Sequence, residues 1–181
     1  VNRLVALCMP GGQQFVDAIQ RVWDDGDAVL PVDQRLPKKA QLDLMRHMGA
    51  SVALGPSEAS TLDGWPVESD DALVVATSGS TGQPKGVVLE HRALIANAQA
   101  TNAFLRVDPV GDKWLACLPL SHVGGFSVIV RALHCGAPLE VHDGFEADRV
   151  LSAAHGGVTL VSLVPTAMRR VDTGLFRKVL V

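Results

Sequence analysis

The sequence predicts an α/β fold in which a mainly parallel β-sheet is covered by helices on both faces. Short apolar runs that are typical of buried strands alternate with segments of helical periodicity from Leu4 to Leu163. This alternation favours parallel pairing, because parallel strands must be joined by crossover segments that are usually helices. Wholly apolar runs such as Leu73 to Ala76 indicate strands buried on both faces, which helices on both sides of the sheet would cover.

The first half of the chain begins this alternation. Four apolar runs predict strands: Leu4 to Met9, Ala28 to Val32, Val52 to Leu54 and Leu73 to Thr77. Four apolar residues at helical spacing predict a helix between the first two strands: Phe15, Ile19, Val22 and Trp23. A second helix is expected to open at Pro37 and to end at Gly49.

The second half continues the same alternation. Helices are predicted from about Arg92, over Ser127 to Leu133 and over Ala147 to Ala154. Strands are predicted near Leu115, over Pro138 to His142 and over Thr159 to Leu163. The last residues, Phe176 to Val181, read as a strand without a following turn, so we expect the chain to be truncated there. An unpaired strand edge at Val181 would favour association, and a homodimer is compatible with the sequence.

Composition excludes several classes of protein. The 181 residues are 48% hydrophobic and 19% charged, which excludes intrinsic disorder. A formal net charge of -3 argues against a nucleic-acid partner. Two uncharged windows, Trp114 to Val130 and Val150 to Met168, are interrupted by Pro and Gly, so no membrane span is expected. The three cysteines are far apart and indicate a reducing, cytoplasmic location.

The segment from Thr77 to Gly86 is the most informative in the chain. Its three glycines let backbone N–H groups point into one concavity, its four hydroxyls are neutral donors, and Lys85 adds a mobile positive charge. Such a set of groups suits a polyphosphate. The segment is not a Walker A loop, because the pattern fails at Pro84 and again after Lys85. The alternative interpretation is a surface turn without a ligand.

This segment, followed by Val87, resembles the phosphate loop of the adenylate-forming superfamily, which includes acyl-CoA synthetases, peptide-synthetase adenylation domains and luciferases. Three further segments resemble motifs of the superfamily in the same order: Ala28 to Pro37, Leu118 to Gly125, and Gly157 to Thr166. The resemblance implies that residues 1–181 are part of the large N-terminal domain of such an enzyme and that the C-terminal domain is absent. The superfamily's magnesium-binding Glu motif is not found in the chain, so no metal ligand is assigned.

The resemblance also implies an activity and a set of site residues. The activity is an ATP-dependent carboxylic acid–CoA ligase that works through an acyl-adenylate, with ATP, Mg²⁺ and coenzyme A as the small molecules required. Lys85 and His122 carry the catalytic roles. The residues expected to hold the nucleotide are Thr77, Ser78, Gly79, Ser80, Thr81, Gly82 and Lys85. The residues expected to line the acid pocket are His122, Gly124, Gly125, Ser162 and Pro165.

The acid itself is suggested by His122. Amino-acid-activating members place an Asp near this motif, and none is found here, which favours an acid without an amine. His122, Gly124 and Arg131, followed by Gly136 and Ala137, resemble the 2-succinylbenzoate–CoA ligases of menaquinone biosynthesis. Two simpler interpretations remain open: His122 as a core histidine and Arg131 as a helix-surface charge.

Other functions stay open at this point. The ligase could use another aryl or fatty acid, or the chain could be a non-catalytic nucleotide- or acyl-binding module. The spacing of His134, Cys135 and His142 fits no structural zinc site. We expect that the chain alone does not turn over.

Overall fold

The computed structural model describes residues 1–79 and 83–181. The described residues confirm the α/β class and divide into two compact units. The first unit contains residues 1–10 and 14–93, and the second contains residues 11–13 and 94–181. No helix in these described ranges is long and apolar enough to cross a membrane.

The first unit is built on a six-stranded sheet. Its elements are β1 (Leu4–Leu7), α1 (Gln13–Asp24), β2 (Ala28–Pro31), α2 (Lys38–His47), β3 (Val52–Leu54), β4 (Ala59–Thr61), β5 (Asp71–Thr77) and β6 (Lys85–Glu90). The strand order is β4-β3-β1-β2-β5-β6. The four central strands are parallel, and the edge strands β4 and β6 are antiparallel to their neighbours. The edges differ because β4 and β6 follow their partners through connections too short for a parallel crossover.

One apolar cluster of the first unit lies between the sheet and α2. Met45 and Met48, at the C-terminal end of α2, pack in one apolar cluster with inward residues of the central strands. Those strand residues include Leu4, Ala6, Ala28, Leu30 and Val74. The C-terminal turn of α2 is therefore fixed against the sheet that carries the candidate phosphate loop.

The second unit is built on a four-stranded sheet in which every pair is parallel. After α3 (His91–Leu105), which begins in the first unit, its elements are β7 (Trp114–Ala116), α4 (Val123–Cys135), β8 (Leu139–Val141), α5 (Ala147–His155), β9 (Leu160–Ser162), α6 (Pro165–Met168), a 3₁₀ turn (Thr173–Leu175) and β10 (Lys178–Leu180). The strand order is β10-β9-β7-β8. Val150 and Ala153 of helix α5 pack in one apolar cluster with strand residues such as Leu115 and Val161.

One buried carboxylate joins the beginnings of three strands in the second unit. Asp112 is 3% exposed and accepts hydrogen bonds from the Asp108 amide (2.8 Å), Thr159 Oγ1 (2.7 Å) and Arg177 Nε (2.7 Å). These residues precede or begin β7, β9 and β10. A fully satisfied buried carboxylate of this kind fixes the ends of the strands relative to one another.

The structure differs from the sequence-based prediction in three details. The parallel strands are divided between two sheets, which an alternation of elements does not reveal. Strands β4 and β6 and the short helix α6 were not predicted, because β4 and β6 are largely exposed edge strands and α6 is a single turn. Helix α4 begins at Val123 rather than Ser127, since two glycines near its start weaken the helical pattern.

Candidate functional site

The predicted phosphate loop connects the antiparallel strands β5 and β6 in the first unit. Thr77 ends β5, Lys85 begins β6, and the two residues are paired in register. A Cβ added at Gly79 would lie 2.1 Å from the carbonyl oxygen of Gln83, so the two arms of the loop approach too closely for any other residue there. Ser80, Thr81 and Gly82, which were also predicted to hold phosphate, lie outside the described residues.

The returning arm of the loop is held at three consecutive residues. The Pro84 carbonyl oxygen lies 3.0 Å from His47 Nε2, at the end of α2. The Lys85 carbonyl accepts a hydrogen bond of 3.1 Å from Thr77 Oγ1. A Cβ added at Gly86 would lie 3.0 Å from Met48 Sδ, so Gly86 packs directly on the turn after α2. The backbone that carries Lys85 is therefore fixed, although the residue itself lies at the surface.

The Lys85 side chain is exposed, and no carboxylate in the described ranges lies within ion-pair distance of its ammonium group. Ser78 is also exposed and follows directly on β5. The Thr77 hydroxyl donates its hydrogen to Lys85, so in this arrangement its role is to close the base of the loop. A cleft of about 540 Å³ opens beside the returning arm, and Lys85 and Gly86 contribute to its lining.

In the second unit, His122 lies at the N-cap position of α4. Its backbone N–H donates to the Pro119 carbonyl (3.1 Å), and its own carbonyl accepts from the Gly125 and Phe126 amides (3.1 and 3.0 Å). The imidazole is exposed and has no hydrogen-bond partner among the described residues. Its exposure excludes the interpretation of His122 as a core histidine and leaves the ring free to meet a ligand.

The two glycines after His122 differ in their surroundings. A Cβ added at Gly125 would lie 2.4 Å from the Pro119 carbonyl oxygen and 2.7 Å from that of Leu118. The same addition at exposed Gly124 would meet only Leu118 Cδ1, at 3.8 Å. Gly125 is thus required by the close approach of the preceding turn, whereas Gly124 is not. Pro165 is exposed at the first turn of α6, a position that suits its missing N–H.

Ser162 and Arg131 form a buried polar contact. Ser162 is buried at the end of β9, and its Oγ accepts a hydrogen bond of 3.3 Å from Arg131 Nη1 on α4. Arg131 is only 8% exposed, its Nε has no hydrogen-bond partner among the described residues, and its guanidinium lies 5.9 Å from the Trp114 ring centroid. In the described part of the chain, no carboxylate lies within ion-pair distance of it. Burial lowers the pKa of the Arg131 guanidinium.

The interpretation of Arg131 as a helix-surface charge is therefore wrong. The residues around it on α4, from Phe126 to Leu133, are almost all apolar, and a helix that is apolar on every side is buried. That signal was present in the sequence. His47 carried no such signal, because its partner Pro84 is brought to it only by the packing of α2 on the sheet.

The remaining titratable residues do not gather into a metal centre. Within residues 1–79 and 83–181, no group of three or more His, Cys, Asp or Glu side chains could hold a metal ion. His142 pairs with Glu140 (2.9 Å), which also bonds Lys113 (2.6 Å). Burial raises the pKa of the Cys117 thiol to about 12, so this cysteine is not a nucleophile.

This glycine-rich loop follows a buried strand and ends in a lysine that has no carboxylate partner among the described residues. It resembles the loops that bind phosphate groups in α/β nucleotide-binding proteins. The family comparison agrees with this class. The model of the AMP-binding enzyme family matches residues 60–178, and the chain belongs to that family.

Individual relatives are similar to the chain over only part of their own length. A 2-succinylbenzoate–CoA ligase from Bacillus cereus (strain ATCC 10987 / NRS 248) is 33% identical over 145 residues, which cover 78% of this chain and 29% of that protein. The chain therefore spans less than a third of this curated relative.

Two solved structures of O-succinylbenzoate coenzyme A synthetase from Bacillus subtilis have the same fold. The complex with AMP has a TM-score of 0.82 at 21% identity and covers 99% of this chain and 55% of that one. The complex with the acyl-adenylate intermediate has a TM-score of 0.78 at 22% identity and covers 93% of this chain and 51% of that one.

Proposed function

We propose that residues 1–181 form part of an ATP-dependent carboxylic acid–CoA ligase that works through an acyl-adenylate. The observation that carries the proposal is the loop between β5 and β6, whose fixed returning arm presents the exposed Lys85, which has no carboxylate partner among the described residues. Membership of the AMP-binding enzyme family supports it. The names of the relatives support the same chemistry, since a similar ligase was solved with AMP and with an acyl-adenylate.

The proposed reaction has two steps. A carboxylate oxygen of the acid attacks the α-phosphorus of ATP, a new O–P bond forms, and pyrophosphate leaves with the electrons of the broken P–O bond. The thiol of coenzyme A then attacks the acyl carbon, loses its proton, and AMP leaves as the thioester forms. Both steps place negative charge on phosphate oxygens, which prearranged donors and cations stabilise.

Lys85 is the residue that we assign to this charge. Its backbone is fixed by contacts at Pro84, Lys85 and Gly86, while its ammonium group is free of carboxylate partners among the described residues. A flexible side chain on a fixed backbone can follow the phosphate oxygens as pyrophosphate departs. The exposed Ser78 adds a hydroxyl donor at the opposite arm of the loop.

Mg²⁺ is the partner that reactions of this class use to neutralise the phosphates. The described residues present no cluster of ligands for it, and Mg²⁺ is commonly held by one or two carboxylates together with substrate phosphates. The described residues therefore do not form a magnesium site by themselves.

The acid site is proposed to lie in the second unit. The exposed imidazole of His122 can donate a hydrogen bond to a carboxylate or carbonyl, and the neighbouring Gly124 leaves space above the start of α4. The buried guanidinium of Arg131 has no carboxylate partner in the described part of the chain, which suits an acid that brings a second carboxylate. These features support a dicarboxylic aryl acid, and 2-succinylbenzoate in particular.

We further propose that residues 1–181 correspond to part of the large N-terminal domain and that turnover requires residues outside this segment. The share of the relatives' length that the chain spans supports this assignment. We also propose a cytoplasmic location, which the three free cysteines support, and the absence of a nucleic-acid partner, which the net charge of -3 supports. A homodimeric state is proposed on the exposed edge strand β6.

The test is carboxylate-dependent exchange of labelled pyrophosphate into ATP by the natural gene product that contains residues 1–181. Exchange with 2-succinylbenzoate, and much weaker exchange with benzoate, fatty acids and amino acids, is expected. Exchange with a different acid alone would retain the chemistry and overturn the substrate. No exchange with any acid, from a folded protein supplied with Mg²⁺, would overturn the proposed function.

A further inference from the structure

We propose that His47 is a positioning residue for the phosphate loop, because it fixes the peptide group from which Lys85 projects. Its Nε2 lies 3.0 Å from the carbonyl oxygen of Pro84. A carbonyl oxygen can only accept, so the imidazole must donate from Nε2–H. The inference rests on the proposed function, since it assigns His47 a part in holding the polyphosphate chain.

The donor is itself well anchored. His47 is the last residue of α2, and the next residue, Met48, is buried in the apolar cluster of the first unit. The backbone N–H of Met48 is bonded to the Leu44 carbonyl at 2.9 Å, so the last turn of the helix is closed. A side chain on this turn has a fixed origin relative to the sheet.

Within residues 1–79 and 83–181, the hydrogen bond from His47 is the only one to the acceptor, the Pro84 carbonyl. Lys85 is bonded through its carbonyl to Thr77, and Gly86 packs on Met48. Pro84 has no backbone N–H, so it cannot donate a hydrogen bond to β5. It also precedes Lys85, the residue at which the pairing of β6 with β5 begins. Without His47, the fixed part of the arm would begin at Lys85 rather than one residue before it.

The peptide between Pro84 and Lys85 sets the direction in which the lysine side chain leaves the backbone. Rotation of that peptide would move the ammonium group by a larger distance than it moves the backbone, because the side chain is long. Loss of one neutral hydrogen bond near the surface is expected to cost about 3- to 10-fold in affinity for a ligand that needs Lys85 in place. Since His47 is exposed, its loss should leave global stability unchanged.

The first experiment examines the hydrogen bond without any ligand. Nuclear magnetic resonance of the ¹⁵N-labelled chain should show the Nε2–H tautomer of His47, and His47→Ala should shift the Lys85 amide nitrogen, which shares a peptide group with the Pro84 carbonyl. The control is Arg46→Ala, an exposed neighbour on the same helix, which should leave that signal in place. A Nδ1–H tautomer, or an unchanged Lys85 signal in His47→Ala, would overturn the proposal.

The second experiment measures binding of inorganic tripolyphosphate by calorimetry. His47→Ala should bind about 3- to 10-fold more weakly than the unmodified chain, whereas His47→Gln, whose amide can still donate, should recover most of the affinity. Urea unfolding midpoints of the three proteins should agree. Equal affinities of the unmodified chain and His47→Ala, with Lys85→Ala weakened, would overturn the positioning role alone. Absence of tripolyphosphate binding by the unmodified chain would overturn both this role and the proposed phosphate loop.

Discussion

Arg131 Nη1 on α4 lies 3.3 Å from Ser162 Oγ at the end of β9, and the guanidinium is 8% exposed with no carboxylate partner in the described part of the chain. A buried charge without a counter-ion is unfavourable for the fold. The Trp114 ring, 5.9 Å away, compensates only part of this cost. Under the proposed function, the second carboxylate of the acid would neutralise this charge.

Replacement of Arg131 by methionine should separate stability from recognition. An unpaired buried charge exchanged for an apolar side chain of similar length is expected to leave the free energy of unfolding unchanged or to raise it. The KM for 2-succinylbenzoate in the exchange reaction should rise by about 10- to 100-fold, since a charge-assisted bond is lost.

The control for Arg131→Met is an aryl acid with one carboxylate, such as benzoate. Pyrophosphate exchange with benzoate, measured at high benzoate concentration, should be as fast in Arg131→Met as in the unmodified protein. An equal loss of exchange with both acids would show that Arg131 acts through the structure rather than by holding a second carboxylate.

Lys85→Ala should slow pyrophosphate exchange by about 10²-fold or more, because the lysine charge is assigned to the departing pyrophosphate. The matched control is Lys39→Ala, since Lys39 is an exposed lysine on α2 outside the loop segment. Exchange rates of both variants should be compared at saturating ATP. If Lys85→Ala and Lys39→Ala exchange pyrophosphate at the same rate, Lys85 has no role in the reaction and is an ordinary solvated lysine.

Gly125→Ala and Gly124→Ala form a matched pair at the start of α4. The first adds a Cβ 2.4 Å from the Pro119 carbonyl oxygen and should lower the free energy of unfolding by about 2 kcal/mol. The second adds a Cβ with no neighbour closer than 3.8 Å, and it should be neutral or stabilising, since alanine favours a helix over glycine. Urea unfolding of both variants measures the two free energies of unfolding. A lower value for Gly124→Ala than for Gly125→Ala would contradict the close approach of the Pro119 carbonyl to Gly125.

Asp112 should make folding sensitive to acid. Burial acts to raise the pKa of its carboxyl, but hydrogen bonds from Arg177, the Asp108 amide and Thr159 outweigh burial and hold the pKa below its ordinary value of 3.8. A carboxyl with a lowered pKa in the folded state stabilises the protein above its unfolded-state pKa, and this stabilisation is lost as the pH falls through the folded-state value.

Asp112→Asn should therefore cost about 2 kcal/mol of unfolding free energy at pH 7, and the difference from the unmodified chain should shrink below about pH 4. Chemical unfolding of both proteins at pH 7, 5, 4 and 3 measures the difference in unfolding free energy and its dependence on pH. A difference that stays constant down to pH 3 would show that the Asp112 charge does not contribute to stability.

Most strands and helices could be predicted from periodicity, because buried strands such as Leu73 to Ala76 and amphipathic α1 follow simple rules of burial. The candidate phosphate loop was predicted for a different reason, since glycines, hydroxyls and a lysine in one short segment are rarely needed by a fold. The exposed position of His122 at the start of a helix could not be predicted, since its neighbours are apolar and the turn at Pro119 is a tertiary feature.

Contacts between distant segments account for the rest. His47 and Pro84 are 37 residues apart, and nothing in either local pattern points to the other. The hydrogen bond from Arg131 to Ser162 depends on how α4 packs against β9, so only the apolar surroundings of Arg131 hinted at its burial. The division of the strands into two sheets likewise depends on pairings that alternation alone leaves undetermined.

The position of one oxygen atom in the products shows whether the reaction passes through an acyl-adenylate. If 2-succinylbenzoate labelled with ¹⁸O in its carboxylates is converted by the natural gene product in the presence of ATP, Mg²⁺ and coenzyme A, the acyl-adenylate route predicts one ¹⁸O atom in the AMP released. Mass spectrometry of the AMP gives the answer. AMP without the label, formed together with the thioester, would contradict the acyl-adenylate and with it the account of the loop and of Lys85.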